Sequence, residues 1–167
     1  MDKTVIVSGI FFGGMLLTPQ QVSPIQDRYF MGGSFGYGCS VKGFSFRGVG
    51  PRGYAPGTPR EEQVGDALGG DCAIGTQLNV SVPIDFYGIR AFGFLNAASL
   101  VPGPVATRFG SLASDLKDAT RISAGLGLSF PIMAGSQLEL TVAEPILQRP
   151  GDVKQRLQFG LRVHKSF

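Results

Sequence analysis

Apolar and small polar residues take turns along several stretches of the chain. From Cys72 to Val82, one face carries Cys72, Ile74, Thr76, Leu78, Val80 and Val82. The other carries Ala73, Gly75, Gln77, Asn79 and Ser81. A period of 2 is that of a β-strand with two unlike faces, and Pro83-Ile84-Asp85 closes the run with a turn signal. The run Tyr87 to Leu95 sets Tyr87, Ile89, Ala91, Gly93 and Leu95 against Gly88, Arg90, Phe92, Phe94 and then Asn96. Thr120 to Phe130 sets Ile122, Ala124, Leu126, Leu128 and Phe130 against Arg121, Ser123, Gly125, Gly127 and Ser129. After a turn over Pro131 to Gly135, Leu138, Leu140 and Val142 oppose Gln137, Glu139 and Thr141. The last run, Leu157 to Phe167, places Phe159, Leu161, Val163 and Phe167 opposite Gln158, Gly160, Arg162, His164 and Ser166. Thr4 to Leu17 is apolar on both sides, so its register cannot be read. The pattern predicts an all-β, antiparallel fold of six strands.

Two settings fit such strands. In a soluble sheet the apolar face packs a core and the polar face meets water. In a transmembrane barrel the apolar face meets lipid and the small polar face lines the interior. Each run is near the 9–11 residues that a tilted strand needs to cross a membrane. The polar faces hold mostly Gly, Ser, Gln, Asn and Thr, with isolated Arg and Glu. A face in water would carry more Lys and Glu, so the pattern favours the barrel. Arg90, Arg121 and Glu139 are then expected as partners inside it rather than as catalysts. Tyr87, Phe130 and Phe167, near strand ends, fit either an interfacial girdle or ordinary core.

Composition sharpens this picture. Only 16% of the 167 residues are charged, against roughly 25% in an ordinary soluble domain. There are 25 Gly and 13 Phe, and no Gly-X-Y period that would point to collagen. A net charge of +3 is too mild to argue for nucleic acid. Cys39 and Cys72 are too few for a disulfide framework and are expected as unpaired thiols. His164 is the single histidine, which excludes the usual zinc clusters built on histidine. No G-x-S-x-G elbow accompanies it, and Ser, Asp and His converge in no recognisable motif, so no enzyme is expected. Thr4 to Leu17 falls short of the roughly 20 residues of a membrane helix. It also makes a poor signal peptide, with a lone Lys3 beside Asp2 and no A-x-A-like site.

A long insertion, about residues 18–70, separates the first two strands. A structureless loop of that length is unusual and would ordinarily count against the strand assignment, but its content is specific. It holds R-Y-F-M-G-G-S at Arg28 to Ser34, V-K-G-F at Val41 to Phe44, F-R-G-V-G-P at Phe46 to Pro51 and D-A-L-G-G-D at Asp66 to Asp71. Phe30, Phe35, Phe44 and Phe46 are expected to anchor it by burial. Its glycines do not form a nucleotide loop, because no G-K-[ST] follows.

These motifs resemble the C-terminal barrel of the outer-membrane assembly family. That family includes the bacterial barrel-assembly factor and the barrel subunit of the mitochondrial sorting and assembly machinery. D-R-Y-F-M-G-G-S at Asp27 to Ser34, V-K-G-F, G-V-G-P at Gly48 to Pro51 and L-G-G-D at Leu68 to Asp71 carry the likeness. So do F-L-N-A at Phe94 to Ala97, L-E-L at Leu138 to Leu140 and Q-F-G at Gln158 to Gly160. The mitochondrial branch is the nearer, and residues 1–167 correspond to the last six strands of its barrel.

The resemblance implies that the loop dips into the barrel, with Lys42, Gly43 and Phe44 at its tip against the inner wall. Gly48, Gly50 and Pro51 belong to the same lumenal loop. The facing strand would carry Arg90 and Asn96. The family has Arg where this chain has Lys42; Arg47, five residues on, is expected to compensate for the lost planar fork. Gln158, Gly160 and Val163 match the mitochondrial β-signal, with an ordinary closing strand as the equal alternative. Lys165 departs from it, and Phe167 restores an apolar end.

The implied function is insertion of precursor β-barrel proteins into the mitochondrial outer membrane, or into a bacterial-type one, with no covalent chemistry and no cofactor. Its implied partners are those precursors, other barrel or assembly-complex subunits and membrane lipid. Six strands leave open edges whose unpaired backbone groups are costly in hydrocarbon. The chain is therefore expected to be a fragment or truncated product, to assemble with other chains, or to stay out of the bilayer. A structural paralogue or an oligomeric pore without insertase activity is the rival reading.

Overall fold

The computed structural model describes residues 4–18, 23–34, 40–54, 56–57, 65–84, 87–133 and 136–163. Phe35, Cys39, His164, Lys165 and Phe167 lie outside them.

Six long strands form one antiparallel sheet: β1 (Ile6–Met15), β4 (Cys72–Pro83), β5 (Arg90–Val101), β6 (Thr120–Met133), β7 (Ser136–Leu147) and β8 (Leu157–Val163). Their order in space follows the chain, β1-β4-β5-β6-β7-β8, and the sheet is not closed. Two short strands, β2 (Arg52–Gly53) and β3 (Asp66–Ala67), pair with each other inside the long loop. The fold is thus the expected partial barrel wall with a long loop.

Exposure decides between the two settings of the alternation. Gln77, Asn79, Ser123, Thr141 and Gln158 are all at most 7% exposed, whereas Leu126, Val142 and Phe159 are 72%, 59% and 58% exposed. A soluble sheet has the reverse arrangement. Hydrocarbon left in water costs about 25 cal/mol per Å², so an apolar face this extended belongs against lipid. No helix among the described residues is long and apolar enough to cross a membrane; the strands carry the apolar band.

Pairing also supplies the register of β1. Val7, Gly9 and Phe11 stand opposite Val80, Leu78 and Thr76 of β4, on the outer face. β5 runs on to Val101, past the expected end at Leu95. Its inward residues there are Ala98 and Leu100, which pack with Met31, Val41, Phe44 and Val49 of the loop. Alternation fades because an apolar plug makes both faces apolar. β7 likewise extends to Leu147, with a register shift where Ser123 meets Pro145. Proline offers no N–H to the ladder, and a bulge absorbs it.

Between β5 and β6 lies α1 (Leu112–Asp118), a helix the alternation does not reveal. Leu112, Leu116 and Ala119 pack against Cys72, Val101 and Val105. Cys72 is a buried free thiol, as expected.

Candidate functional site

The loop folds back on the inner wall through its own motifs. Tyr29 and Gly70 exchange two backbone hydrogen bonds at 2.9 Å, joining the R-Y-F-M-G-G-S and L-G-G-D segments. Arg28 fastens the same junction: its Nε donates to Ser23 O and lies 3.6 Å from the buried Asp71 carboxylate, and its Nη1 donates to Leu68 O. Met31 bridges Val49, and Gly33 bridges Val41. The family-like motifs are therefore one packed unit rather than separate sites.

Val-Lys-Gly-Phe sits at its deepest point, with Val41, Lys42 and Phe44 all at most 2% exposed. Gly43 has a φ of +93°, where a side chain is strained. A Cβ there would also lie 3.2 Å from Ser123 Cβ and 3.3 Å from Ala143 Cβ. Only glycine lets the tip touch β6 and β7. Ser123 Oγ donates to Lys42 O, which fixes the turn to β6.

Lys42 does not reach Asn96. Its ammonium donates to Glu139 Oε2 at 2.7 Å, 4.6 Å from the Phe92 ring centroid and 5.0 Å from that of Phe94. Arg162 of β8 holds the other carboxylate oxygen, Oε1, at 2.9 Å. One carboxylate thus neutralises two cations, one from the loop and one from the last strand. Lys42 belongs to the loop, not to a spanning strand; burial pulls its pKa down, and Glu139 opposes that pull.

The other expected residues fall in different places. Asn96 is buried on β5, and neither its Oδ1 nor its Nδ2 has a hydrogen-bond partner among the described residues. Arg90 works at the far end of β5, bonding Ser81 and the Thr4 carbonyl. Arg47 corrects the expectation that it stands in for an arginine at the tip. It is exposed, and its guanidinium lies 4.5 Å from the Phe30 ring. Phe46 is 67% exposed and anchors nothing by burial, unlike Phe44.

The link to the β7–β8 connection was not visible in the sequence. Ser45 N donates to Val153 O, Val153 N to Gly48 O, and Gln155 N to Gly43 O. Asp152, its side chain wholly buried, takes two hydrogen bonds from Arg121 and one each from the Gly50 and Arg149 backbone amides. Pro51 O accepts from Leu68 N, closing the base of the loop. An Asp with so many donors has a structural signal only in space, since its partners lie up to 102 residues away.

On β8, Gln158 and Gly160 face inward against the loop, while Phe159 and Leu161 face out. The Val163 backbone pairs with Ser136 at the strand's end. Phe167 lies outside the described residues. Among the described residues, no group of His, Cys, Asp and Glu is arranged to hold a metal.

Comparison with known proteins bears on the whole arrangement. The chain is similar in structure to BamA from Haemophilus ducreyi, solved without POTRA domains 1–3, with a TM-score of 0.59 and 22% identity. The match covers 95% of this chain and 35% of that one, so the chain spans about a third of the relative's length. None of the curated proteins matches. The family model described as the Omp85 superfamily domain matches residues 2–161. With nearly all of its strands and its loop inside that match, the chain belongs to the Omp85 superfamily.

Proposed function

We propose that this chain is part of a barrel in an outer membrane, the mitochondrial one, that assists insertion of β-barrel precursors. What carries the reading is the wall turned inside out, with a lipid-facing apolar band and a motif-bearing loop locked to its inner face. Such a wall does no covalent chemistry. It offers strand edges, and an unpaired edge is a template on which another strand gains its backbone hydrogen bonds. Among the described residues β8 pairs only with β7, so its other edge is one such template. The mitochondrial assignment is supported by the D-R-Y-F-M-G-G-S and Q-F-G residues.

The test is expression of the chain in a eukaryotic cell, with carbonate extraction and native electrophoresis of the mitochondrial fraction. A carbonate-resistant species in a large complex is expected, together with faster assembly of a labelled β-barrel precursor in those mitochondria. A chain that is resistant yet leaves precursor assembly unchanged would favour the structural paralogue. An extractable or aggregated chain would refute the membrane assignment itself.

A further inference from the structure

β8 has only one strand neighbour among the described residues, and its pairing with β7 spans Leu157 to Val163. Little on its outer face sets that register. Leu157, Phe159 and Leu161 are all apolar and half exposed. A slip of two residues, about 6.8 Å along the strand, would exchange one such residue for another at small cost.

The inner face differs. Gln158, 2% exposed, spends its whole side-chain amide on the loop. Its Oε1 accepts from Gly43 N at 3.0 Å and from Ser34 Oγ at 2.9 Å, and its Nε2 donates to Phe44 O at 2.6 Å. Two residues on, a Cβ at Gly160 would lie 3.0 Å from Ser34 O and 3.1 Å from Ser34 Cβ. The loop therefore requires an amide at one inward position and bare backbone at the next. A two-residue slip puts Gly160 where the amide is needed, or Gln158 where a side chain collides. A one-residue slip turns both away from the loop.

We propose that the loop tip is the register lock of β8, reading the Gln158 carboxamide and the bare backbone of Gly160. The lock concerns this chain's own last strand and stands or falls whether or not the chain assists other barrels.

Cysteine pairs on the outer face test it, in the full chain in its membrane with Cys39→Ser and Cys72→Ala as background. Leu138→Cys with Leu161→Cys reports the observed register, in which the two stand opposite. Leu138→Cys with Phe159→Cys, and Leu140→Cys with Leu161→Cys, report slips of two residues in either direction. Oxidation with copper phenanthroline should cross-link the first pair almost alone. Gln158→Leu, which loses three hydrogen bonds, should raise the ratio of slipped to observed pairing at least about tenfold. Gly160→Ala should raise it too. Thr141→Val removes the bond from Thr141 Oγ1 to Gln158 O, which comes from β7, and should leave the ratio near that of the parent. If Gln158→Leu does not insert, Ser34→Ala removes one loop bond and should raise the ratio about threefold. A ratio unmoved in the loop-side variants overturns the proposal, as does one moved equally by Thr141→Val.

Discussion

The Lys42–Glu139–Arg162 group makes an unequal prediction for its members. Among the described residues, Glu139 is the only carboxylate bonded to either cation, and Lys42 and Glu139 are both at most 5% exposed at the side chain. Glu139→Gln keeps the shape and removes the charge, leaving the Lys42 ammonium buried with no counter-ion. Breaking a buried pair in this way costs about 3–5 kcal/mol. Arg162, 28% exposed, adds little, since water screens it. Lys42→Met is different, because Glu139 keeps Arg162. It loses one charged hydrogen bond and the contact with two rings, partly offset by the methionine's packing, for a net cost of about 1–2 kcal/mol. Glu139→Gln should therefore be the worse lesion, and Lys42→Met placed on top of it should recover part of the loss.

The size of the Glu139→Gln defect should also depend on pH. Without its counter-ion, Lys42 can lose its proton on folding, while the unfolded chain keeps it until about pH 10.4. The unfolded state then binds more protons, so stability rises with pH. The defect should shrink by up to about 1.4 kcal/mol for each pH unit between 7 and 9. Urea titration of the chain in lipid vesicles, followed by the far-ultraviolet strand signal, reads both effects. The reasoning fails if Lys42→Met destabilises as much as Glu139→Gln, or if the Glu139→Gln defect is flat with pH.

Four further outcomes follow from other positions. Gly43→Ala should loosen the loop by about 1–3 kcal/mol, seen as faster hydrogen exchange at Gly43, Ser45 and Gln155. Gly57→Ala, at a φ of +86° but with nothing within 4 Å, should cost only the backbone part and leave those amides protected. Asp152→Asn, which unpairs the buried Arg121, should cost about 3–5 kcal/mol and open residues 40–54 to protease. Leu126→Arg on the outer face should weaken membrane insertion by about 2–4 kcal/mol if it lies near the bilayer midplane, measured as carbonate-extractable protein. A soluble sheet would tolerate that change at a position 72% exposed, so an unchanged partition would contradict the lipid-facing assignment.

How far the sequence speaks depends on what each face touches. Where one face meets lipid and the other meets small polar groups, as along β4 and β6, alternation shows in the residues and the strand is legible from Cys72 or Thr120 onward. Where the loop's own apolar residues cover the inner face, Ala98 and Leu100 look no different from outward residues, and the end of β5 is hidden. β1 hides for a related reason: Ile10 and Phe12 lie on its inner face, as apolar as Phe11 outside. The helix α1 had a signal in Leu112, Leu116 and Ala119, spaced four and three residues apart, but it is too short to stand out among strands. The partner of Lys42 is a harder case. Alternation places Asn96 and Glu139 alike on the inner face, and choosing between them takes the position of the tip across the sheet. That position is set by Gly43 against Ser123 and Ala143 and by Gln158 against Gly43 and Phe44. The choice is thus made by glycine clearances and amide bonds spanning up to 115 residues, which a period of two cannot encode. The same reasoning explains why the polar residue and the glycine of the last strand are informative as a pair: one supplies the bonds and the other the space, and the loop needs both at once.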